Sequence, residues 1–385
     1  MSRSNTVLTV PFRERNTGHV RLKINIKRCG SQPETPNIFL LRLLRFAHSS
    51  TFPSKRPKLV TMILTQEMFH HNQTAGMPPA VQGISLDGQV IIITGGNTGL
   101  GYEAAKHFAI RGPGEIIMVC RDEKKGQDAV DRLKTETGFH AIALWTVDLL
   151  SFDSVKAIKD KIDKLDRLDI LVENAGIGLY NYEVSNDGWE KILQVNVLSP
   201  ALHMILHLPK LLETSKKHPQ TVPRVVYVSS GAHFWETIPV EGIDASNTLR
   251  WINEDLLGQS FMRALQTRLP TVTCCSVNPG FCKTDLSRHT PAEVIESRRE
   301  MTATYAYTAE EGSRQLLYAA IGERDKEERI RGGYLEYGRI SECSDFMLGE
   351  VGQRLERKVW KEILEVAGDA DEKARYIIDE YLSRG

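Results

Sequence analysis

The residues whose order most constrains chemistry are TGGNTGLG, Thr94 to Gly101, set between an apolar run, VIIIT (90–94), and a helical pattern, YEAAKHFAIRG. A bound phosphate needs backbone amides close by and no side chains in the way. Gly95 permits a tight turn. Gly99 and Gly101 let the backbone approach a pyrophosphate and let the helix pack near its strand, its N-terminal amides facing the anion. Thr94, Asn97 and Leu100 complete the loop. The next apolar run ends in Cys120, Arg121 and Asp122. In dinucleotide folds an acid at that strand end receives the adenosine ribose 2′-hydroxyl, whereas an arginine accommodates a 2′-phosphate. Cys120 stands where the acid is expected and Arg121 is beside it, which favours NADP(H) over NAD(H), with Asp122 as the competing acid.

Two further spacings carry candidate chemistry. Tyr102 and Lys106 form the only Y-x-x-x-K match in the chain. A lysine one helical turn from a phenol can lower its pKa, but this pair lies beside the pyrophosphate end of a cofactor and far from any reacting carbonyl. His203 and His207, at i and i+4, could face one metal. Met204 holds the place where H-E-x-x-H has its glutamate and no third ligand is suggested, so no metal site is assigned and core or interface histidines are the expectation.

The elements that position these residues follow from the alternation of short apolar runs with charged amphipathic stretches, which is the pattern of a parallel sheet with crossover helices. The runs are 90–94, 115–120, 141–147, 168–173, 224–229 and 271–277, with a seventh strand if GGYLEY (332–337) closes the sheet. The expected fold is α/β, a doubly wound parallel sheet of the Rossmann type in one domain, residues 83–368. Residues 1–82 lack a clear period except for an amphipathic stretch at 38–47. They read as a basic, disordered extension, a transit-like leader, or translated upstream sequence with the true start at Met62 or Met68. Residues 369–385 read as a charged, solvated helical tail.

Composition narrows the function further. The 385 residues carry 49 Lys+Arg and 49 Asp+Glu, and 41% are hydrophobic, which is ordinary for a globular chain and excludes collagen-like, coiled-coil and wholly disordered classes. The zero net charge hides an asymmetry, since residues 1–60 hold 12 basic against 2 acidic side chains and the remainder 37 against 47. An acidic body argues against a nucleic-acid surface, and Trp235, Trp251 and Trp360 are too scattered to stack bases. No run reaches the roughly eighteen apolar residues of a membrane span. The six cysteines, Cys29, Cys120, Cys274, Cys275, Cys282 and Cys343, show no C-x-x-C pairing and are expected as free thiols in a reduced compartment, which makes the cytoplasm the expected location and the mitochondrion the alternative.

The motifs taken in order, T-G-x-x-x-G-x-G, then VDL with Asp148, NAG at Asn174 to Gly176, VNV with Asn196, VSS at Ser229 and Ser230, and NPGFCKT at Asn278 to Thr284, resemble the short-chain dehydrogenase/reductase family. The similarity spans about residues 85–340 and is to its retinol-dehydrogenase-like and fungal branch. The resemblance implies that Asp148 takes the adenine amino group and that Asn174, Ala175 and Gly176 line the cofactor ribose. It also implies that Leu100 touches the pyrophosphate through its amide. Pro279, Gly280, Cys282 and Thr284 would flank the nicotinamide. Asn196 would hold a water of the proton relay, and Ser230 would hydrogen-bond the substrate carbonyl. From the residues alone, Asp148 could equally cap the helix beginning SFDSV, Asn196 could be a surface amide, and Ser230 a turn residue. One departure is Glu173, where the family usually has asparagine before NAG.

A larger departure concerns the acid. Hydride transfer to a carbonyl needs a proton donor in reach of the oxygen, and the family uses tyrosine with lysine four residues on. No tyrosine occurs between Tyr227 and Tyr305, and no lysine between Lys217 and Lys283. The segment expected to read Y-x-x-S-K-x-x-N is compressed to LLGQS, and a loss of several residues near Asp255 to Phe261 is the simplest explanation. Leu256 to Arg268 gives a helix of about 20 Å, short for one carrying both groups. His233, Asp255 and Arg263 lie near the expected place, and none reproduces an acid activated by a neighbouring cation. The resemblance thus implies an NADP(H)-dependent oxidoreductase interconverting a carbonyl and an alcohol, and the missing pair raises the alternative of a cofactor-binding paralogue without turnover. Phe234, Trp235, Ile295 and Tyr305 in the variable stretches suit a lipophilic small-molecule substrate, including a secondary-metabolite intermediate. Homodimers or tetramers are common in the family.

Overall fold

A computed structural model of the chain describes residues 6–13, 19–26, 65–235, 238, 240–251 and 256–383. It divides into two units, residues 1–51 and 52–385. In the first, β1 (Thr6–Arg13) and β2 (His19–Ile26) pair antiparallel from Thr6 opposite Ile26 to Arg13 opposite His19. Val20, Leu22, Ile24 and Ile26 alternate with polar residues, a strand period that stands out only once the pairing is known. The stretch 38–47 lies outside the described residues.

The second unit is built on β3 (Val90–Thr94), β4 (Glu115–Cys120), β5 (Ile142–Thr146), β6 (Ile170–Glu173), β7 (Arg224–Val228), β8 (Thr273–Asn278), β9 (Tyr334–Glu336) and β10 (Arg339–Ser341). Their spatial order is β10-β9-β8-β7-β6-β3-β4-β5, parallel throughout except for β10, which turns back on β9 as an edge strand. The order reverses between β3 and β6, so the crevice of this doubly wound sheet opens at the carboxyl end of β3. Seven strands match the sequence expectation. The eighth comes from a two-residue hairpin, Tyr337-Gly338, both with positive φ (49° and 70°), as a primed turn requires.

Strand residues send successive side chains to opposite faces. Ile92, Ile117, Val119, Leu171, Val225 and Cys274 face one core layer, and Ile91, Ile93, Ile116, Met118, Val172, Val226 and Cys275 the other. The second layer is closed by α2 (Gly99–Ala109), α3 (Glu123–Thr137) and α6 (Ala309–Ile321), the last started by a Thr308–Glu311 capping box. The first is closed by α4 (Ser199–Lys217), α5 (Leu256–Gln266), α7 (Glu350–Ala370) and α8 (Glu372–Ile377). One helical run, Lys191–Lys217, is long and apolar enough to cross a membrane among the described residues, and 83% of its most apolar window is buried within this fold.

Two boundaries differ from those read in the sequence. A helix α1 (Gln66–Thr74), capped by Thr65, and the segment after it lie in contact with the domain, ahead of the expected start at residue 83. At the other end the solvated tail is corrected. Ala374, Ile377, Ile378 and Leu382 form a buried stripe in the core, and Asp371 caps α8 while bonding Lys159 at 2.6 Å. The charges of DADEKARYIIDEYLSRG dominate its composition, but its apolar spacing is that of a packed helix. Of the cysteines, Cys120, Cys274, Cys275, Cys282 and Cys343 are free thiols, and Cys29 lies outside the described residues.

Candidate functional site

Gly95 leaves β3 with φ 67°, and its amide donates to the Val119 carbonyl at 2.8 Å, tying the loop to the neighbouring strand. Gly101 is required by contact, because a Cβ there would meet the Gly95 carbonyl at 2.4 Å and Asn174 Nδ2 at 2.5 Å. The helix therefore starts close against its own loop. Thr98 precedes α2 in extended conformation without capping it, and its hydroxyl donates to Asp285 Oδ2 at 3.0 Å instead. The first-turn amides of α2 keep no side-chain cap, as an anion cradle demands. This loop fits a dinucleotide pyrophosphate by that observation.

Thr94 organises the site from below. Its hydroxyl accepts from the amides of Asn174 (2.9 Å) and Ala175 (3.0 Å), while Asn174 Nδ2 donates to the Thr94 carbonyl at 2.8 Å. The hydroxyl proton goes to Glu173 Oε2 at 3.2 Å, and Glu173 Oε1 meets His203 Nδ1 at 2.5 Å. The departure at Glu173 is thus absorbed: the carboxylate replaces an amide and takes a buried histidine from α4 as partner. His207 Nδ1 in turn donates to the His203 carbonyl at 2.7 Å. Both histidines are fully buried in the core behind the site.

At the end of β4, the Gly96 and Asn97 amides donate toward the buried Cys120 sulfur, and burial pushes its thiol up to about 11. Asp122 accepts from the Lys125 amide at 3.0 Å as the N-cap of α3. Arg121 is exposed and has no hydrogen bond or ion pair among the described residues. The acid is committed to a helix and the guanidinium is available. Asp148 accepts from the Leu150 amide at 3.0 Å, and Ser151, not Asp148, caps the helix that follows. The Tyr102–Lys106 pair is structural: Tyr102 is buried with the Arg132 guanidinium 3.9 Å from its ring centre, and Lys106 is paired with Glu103 and Glu136.

Beyond β8, Asn278 Oδ1 accepts from the Gly280 amide at 2.9 Å and Nδ2 donates to Glu336 Oε2 at 3.2 Å, fixing the turn at Pro279-Gly280. Gly280 has φ 80°, where an L side chain is strained. Cys282 Sγ donates to the Pro279 carbonyl at 3.3 Å, its thiol pushed up to about 12 by burial, and Thr284 lies 3.7 Å from where a Cβ on Gly99 would sit. The expected nicotinamide loop and phosphate loop are therefore neighbours.

Ser230 follows β7, its hydroxyl accepting from the Ala232 amide at 3.0 Å and its carbonyl from His233 Nδ1 at 2.9 Å. His233 is fully buried, and burial lowers its pKa to about 4, so it is neutral at pH 7. Gln259 from α5 donates to Ser229 Oγ at 2.7 Å and lies 3.2 Å from the same histidine nitrogen. Asn196 sits in a π-turn, Gln194–Leu198, with its side chain paired to both the amide (2.9 Å) and carbonyl (3.1 Å) of Ile177. Its own carbonyl accepts from the Tyr227 hydroxyl at 2.7 Å. Gly258 makes that possible, since a Cβ there would stand 2.1 Å from the hydroxyl. Trp251 packs over Gly242 and is half exposed, and residues 252–255 lie outside the described residues. Tyr227, Gln259 and Glu336 carried no motif signal. Their partners are remote in sequence, and only the closed sheet brings them together.

The family model described as short chain dehydrogenase matches residues 89–242. A short chain dehydrogenase of Emericella nidulans, atnD, is 38% identical over 270 residues, covering 66% of this chain and 85% of its own. A short-chain dehydrogenase/reductase of Aspergillus flavipes, ffsI, is 32% identical over 308 residues, covering 75% of this chain and 88% of that one. Among solved structures, an uncharacterised protein from Mycobacterium paratuberculosis is similar with TM-score 0.54 at 24% identity, covering 76% of this chain and 96% of that one. An NADPH-bound carbonyl reductase from chicken fatty liver is similar with TM-score 0.50 at 19% identity, covering 66% and 96%. The two structures share the fold. With its phosphate loop, strand order and similarity to fungal relatives taken together, the chain belongs to the short-chain dehydrogenase/reductase family of oxidoreductases.

Proposed function

We propose that the chain binds NADP(H) across the carboxyl edge of its sheet and is built to interconvert a carbonyl and an alcohol on a lipophilic small molecule, such as a secondary-metabolite intermediate. The observation that supports the cofactor choice is the strand end at Cys120: Asp122 caps α3, and Arg121, exposed and without a partner among the described residues, would meet a 2′-phosphate. Gly95 to Gly101 would hold the pyrophosphate, Asn174 to Gly176 the ribose, and Pro279 to Thr284 the nicotinamide end. The cofactor, when bound, supplies or accepts the hydride. Ser230, whose hydroxyl accepts from the Ala232 amide and keeps its own proton to donate, would bond the substrate oxygen, and Trp235 would lie toward an apolar substrate.

A second reading, cofactor binding without turnover, is favoured by the relay position. Asn196, to which the family resemblance gives a water, has its side chain bonded to both the amide and the carbonyl of Ile177, and its carbonyl accepts from the Tyr227 hydroxyl. No tyrosine–lysine pair follows Ser230 to connect with it. Calorimetric titration with NADPH and NADH, followed by an NADPH oxidation assay over lipophilic aldehydes and ketones, tests both. Tight NADPH binding without turnover is the expected result. Robust turnover would place the proton donor on a residue other than the missing pair, and a flat isotherm with both nucleotides would remove the cofactor reading.

A further inference from the structure

Helix α1 reaches more than two hundred residues along the chain to touch the loop assigned above to the nicotinamide. Gln73 is its buried residue on that side, 5% exposed, and its amide uses every hydrogen-bonding position it has. Nε2 donates to the Phe281 carbonyl at 3.0 Å and the Tyr305 carbonyl at 2.7 Å. Oε1 accepts from the Phe281 amide at 3.1 Å and the Tyr337 hydroxyl at 3.1 Å. Pairing with both the amide and the carbonyl of one residue is what a neighbouring strand would do. On its other side the same loop pairs with Tyr307, whose amide also donates to the Phe281 carbonyl at 2.8 Å.

Neighbouring residues are shaped around this contact. Gly280 leaves room for it, because a Cβ there would meet Gln73 Oε1 and the Tyr307 ring, each at 3.1 Å. Tyr337 is in the left-handed region, held there by the β9–β10 hairpin, and that turn aims its hydroxyl at Gln73. The Tyr307 hydroxyl donates to the Asn72 carbonyl at 2.6 Å. Phe69, from the same helix, stands 6.3 Å from Trp235 and 6.2 Å from Phe281 between ring centres, and His70 stacks on Tyr305 at 4.5 Å. A segment that reads as a leader thus closes one wall of the site.

We propose that Gln73 is a positioning residue, holding the loop Pro279–Thr284 in the shape that seats the nicotinamide half of the cofactor, and that α1 is a working part of the site. The proposal rests on the cofactor reading above, and its test separates the two. The full-length protein and its Gln73→Ala and Tyr337→Phe variants are titrated with NADPH and with 2′,5′-ADP, which carries the adenosine end and no nicotinamide. Nicotinamide fluorescence of bound NADPH and thermal unfolding are followed in parallel.

Gln73→Ala is expected to weaken NADPH about tenfold, to reduce the fluorescence change on binding, and to leave 2′,5′-ADP affinity within about twofold. Tyr337→Phe, which removes one of the four bonds and little volume, is expected to shift NADPH about threefold in the same sense. If either variant weakens both ligands equally, Gln73 supports the fold in general and the positioning role is overturned. Unchanged NADPH binding in both variants overturns it as well. If the unsubstituted protein binds neither ligand, the cofactor reading fails and this one with it.

Discussion

Arg121 and His233 illustrate opposite uses of a charge-bearing side chain. Arg121 is exposed and has no partner among the described residues, at a strand end whose neighbouring acid is committed to capping. A charged hydrogen bond contributes about 1.5–3 kcal/mol, so Arg121→Ala should weaken NADPH roughly ten- to a hundredfold and leave NADH nearly unchanged, measured by calorimetry. Equal loss for both nucleotides would mean that the guanidinium does not meet the 2′-phosphate. His233 is neutral because it is buried, its pKa lowered from 6.5 to about 4. The unfolded chain takes up a proton at this residue below pH 6.5 and the folded chain only near pH 4. The stability it contributes is therefore full above pH 6.5 and lost as pH falls toward 4, to an extent of about 3 kcal/mol. His207, held well below its ordinary value by burial, acts in the same sense. Urea unfolding at pH 7, 6 and 5 should show a falling midpoint. In His233→Asn, which keeps a donor for the Ser230 carbonyl without titrating, the fall should be shallower.

At the scale of elements, the phosphate loop and α2 depend on how closely a helix can start beside its strand. Gly101→Ala forces a methyl against the Gly95 carbonyl, backbone that cannot step aside. Overpacking of that kind costs about 1–3 kcal/mol. NADPH affinity should fall with stability, because the helix start must move from the loop. Undiminished NADPH affinity in a destabilised Gly101→Ala would show that the loop tolerates a shifted helix. The loop was legible in the sequence because strand, glycines and helix are consecutive, and the parallel sheet because each strand is a short buried run with an amphipathic helix behind it. The ends of the domain were not. Helix α1 has nine residues and a weakly apolar face. What defines it is the bonding of Gln73 to Phe281, Tyr305 and Tyr337, none of them local. Helix α8 and the π-turn Ile378–Leu382 after it hid a four-residue apolar stripe among charges, and its burial depends on α4, which precedes it by more than 150 residues.

Across the whole molecule, the phosphate loop, Ser230 and the sheet order are in place, and the question is which residue the proposed reaction would use as its proton donor. Sequence reading explained its absence by lost length. The structure gives α5 eleven residues, Leu256–Gln266, running into β8 with its apolar face buried, and its Gly258 sits against the Tyr227 hydroxyl. Laid over the chain without a gap, with its asparagine at Gly258, the pattern Y-x-x-S-K-x-x-N puts Trp251 at the tyrosine, Glu254 at the serine and Asp255 at the lysine. On that register all four specified residues are exchanged, Trp251, Glu254, Asp255 and Gly258 standing for tyrosine, serine, lysine and asparagine. An aspartate beside a phenol would raise its pKa where the lysine lowers it, so each exchange alone disables proton transfer. The double variant Trp251→Tyr/Asp255→Lys is therefore expected to oxidise NADPH with lipophilic aldehydes above the background of the unsubstituted protein. Each single variant should stay at that background. Turnover in the double variant alone would assign the loss to the residues at 251 and 255. Persistent inactivity with undiminished NADPH binding would assign it to lost length between Ser230 and β8.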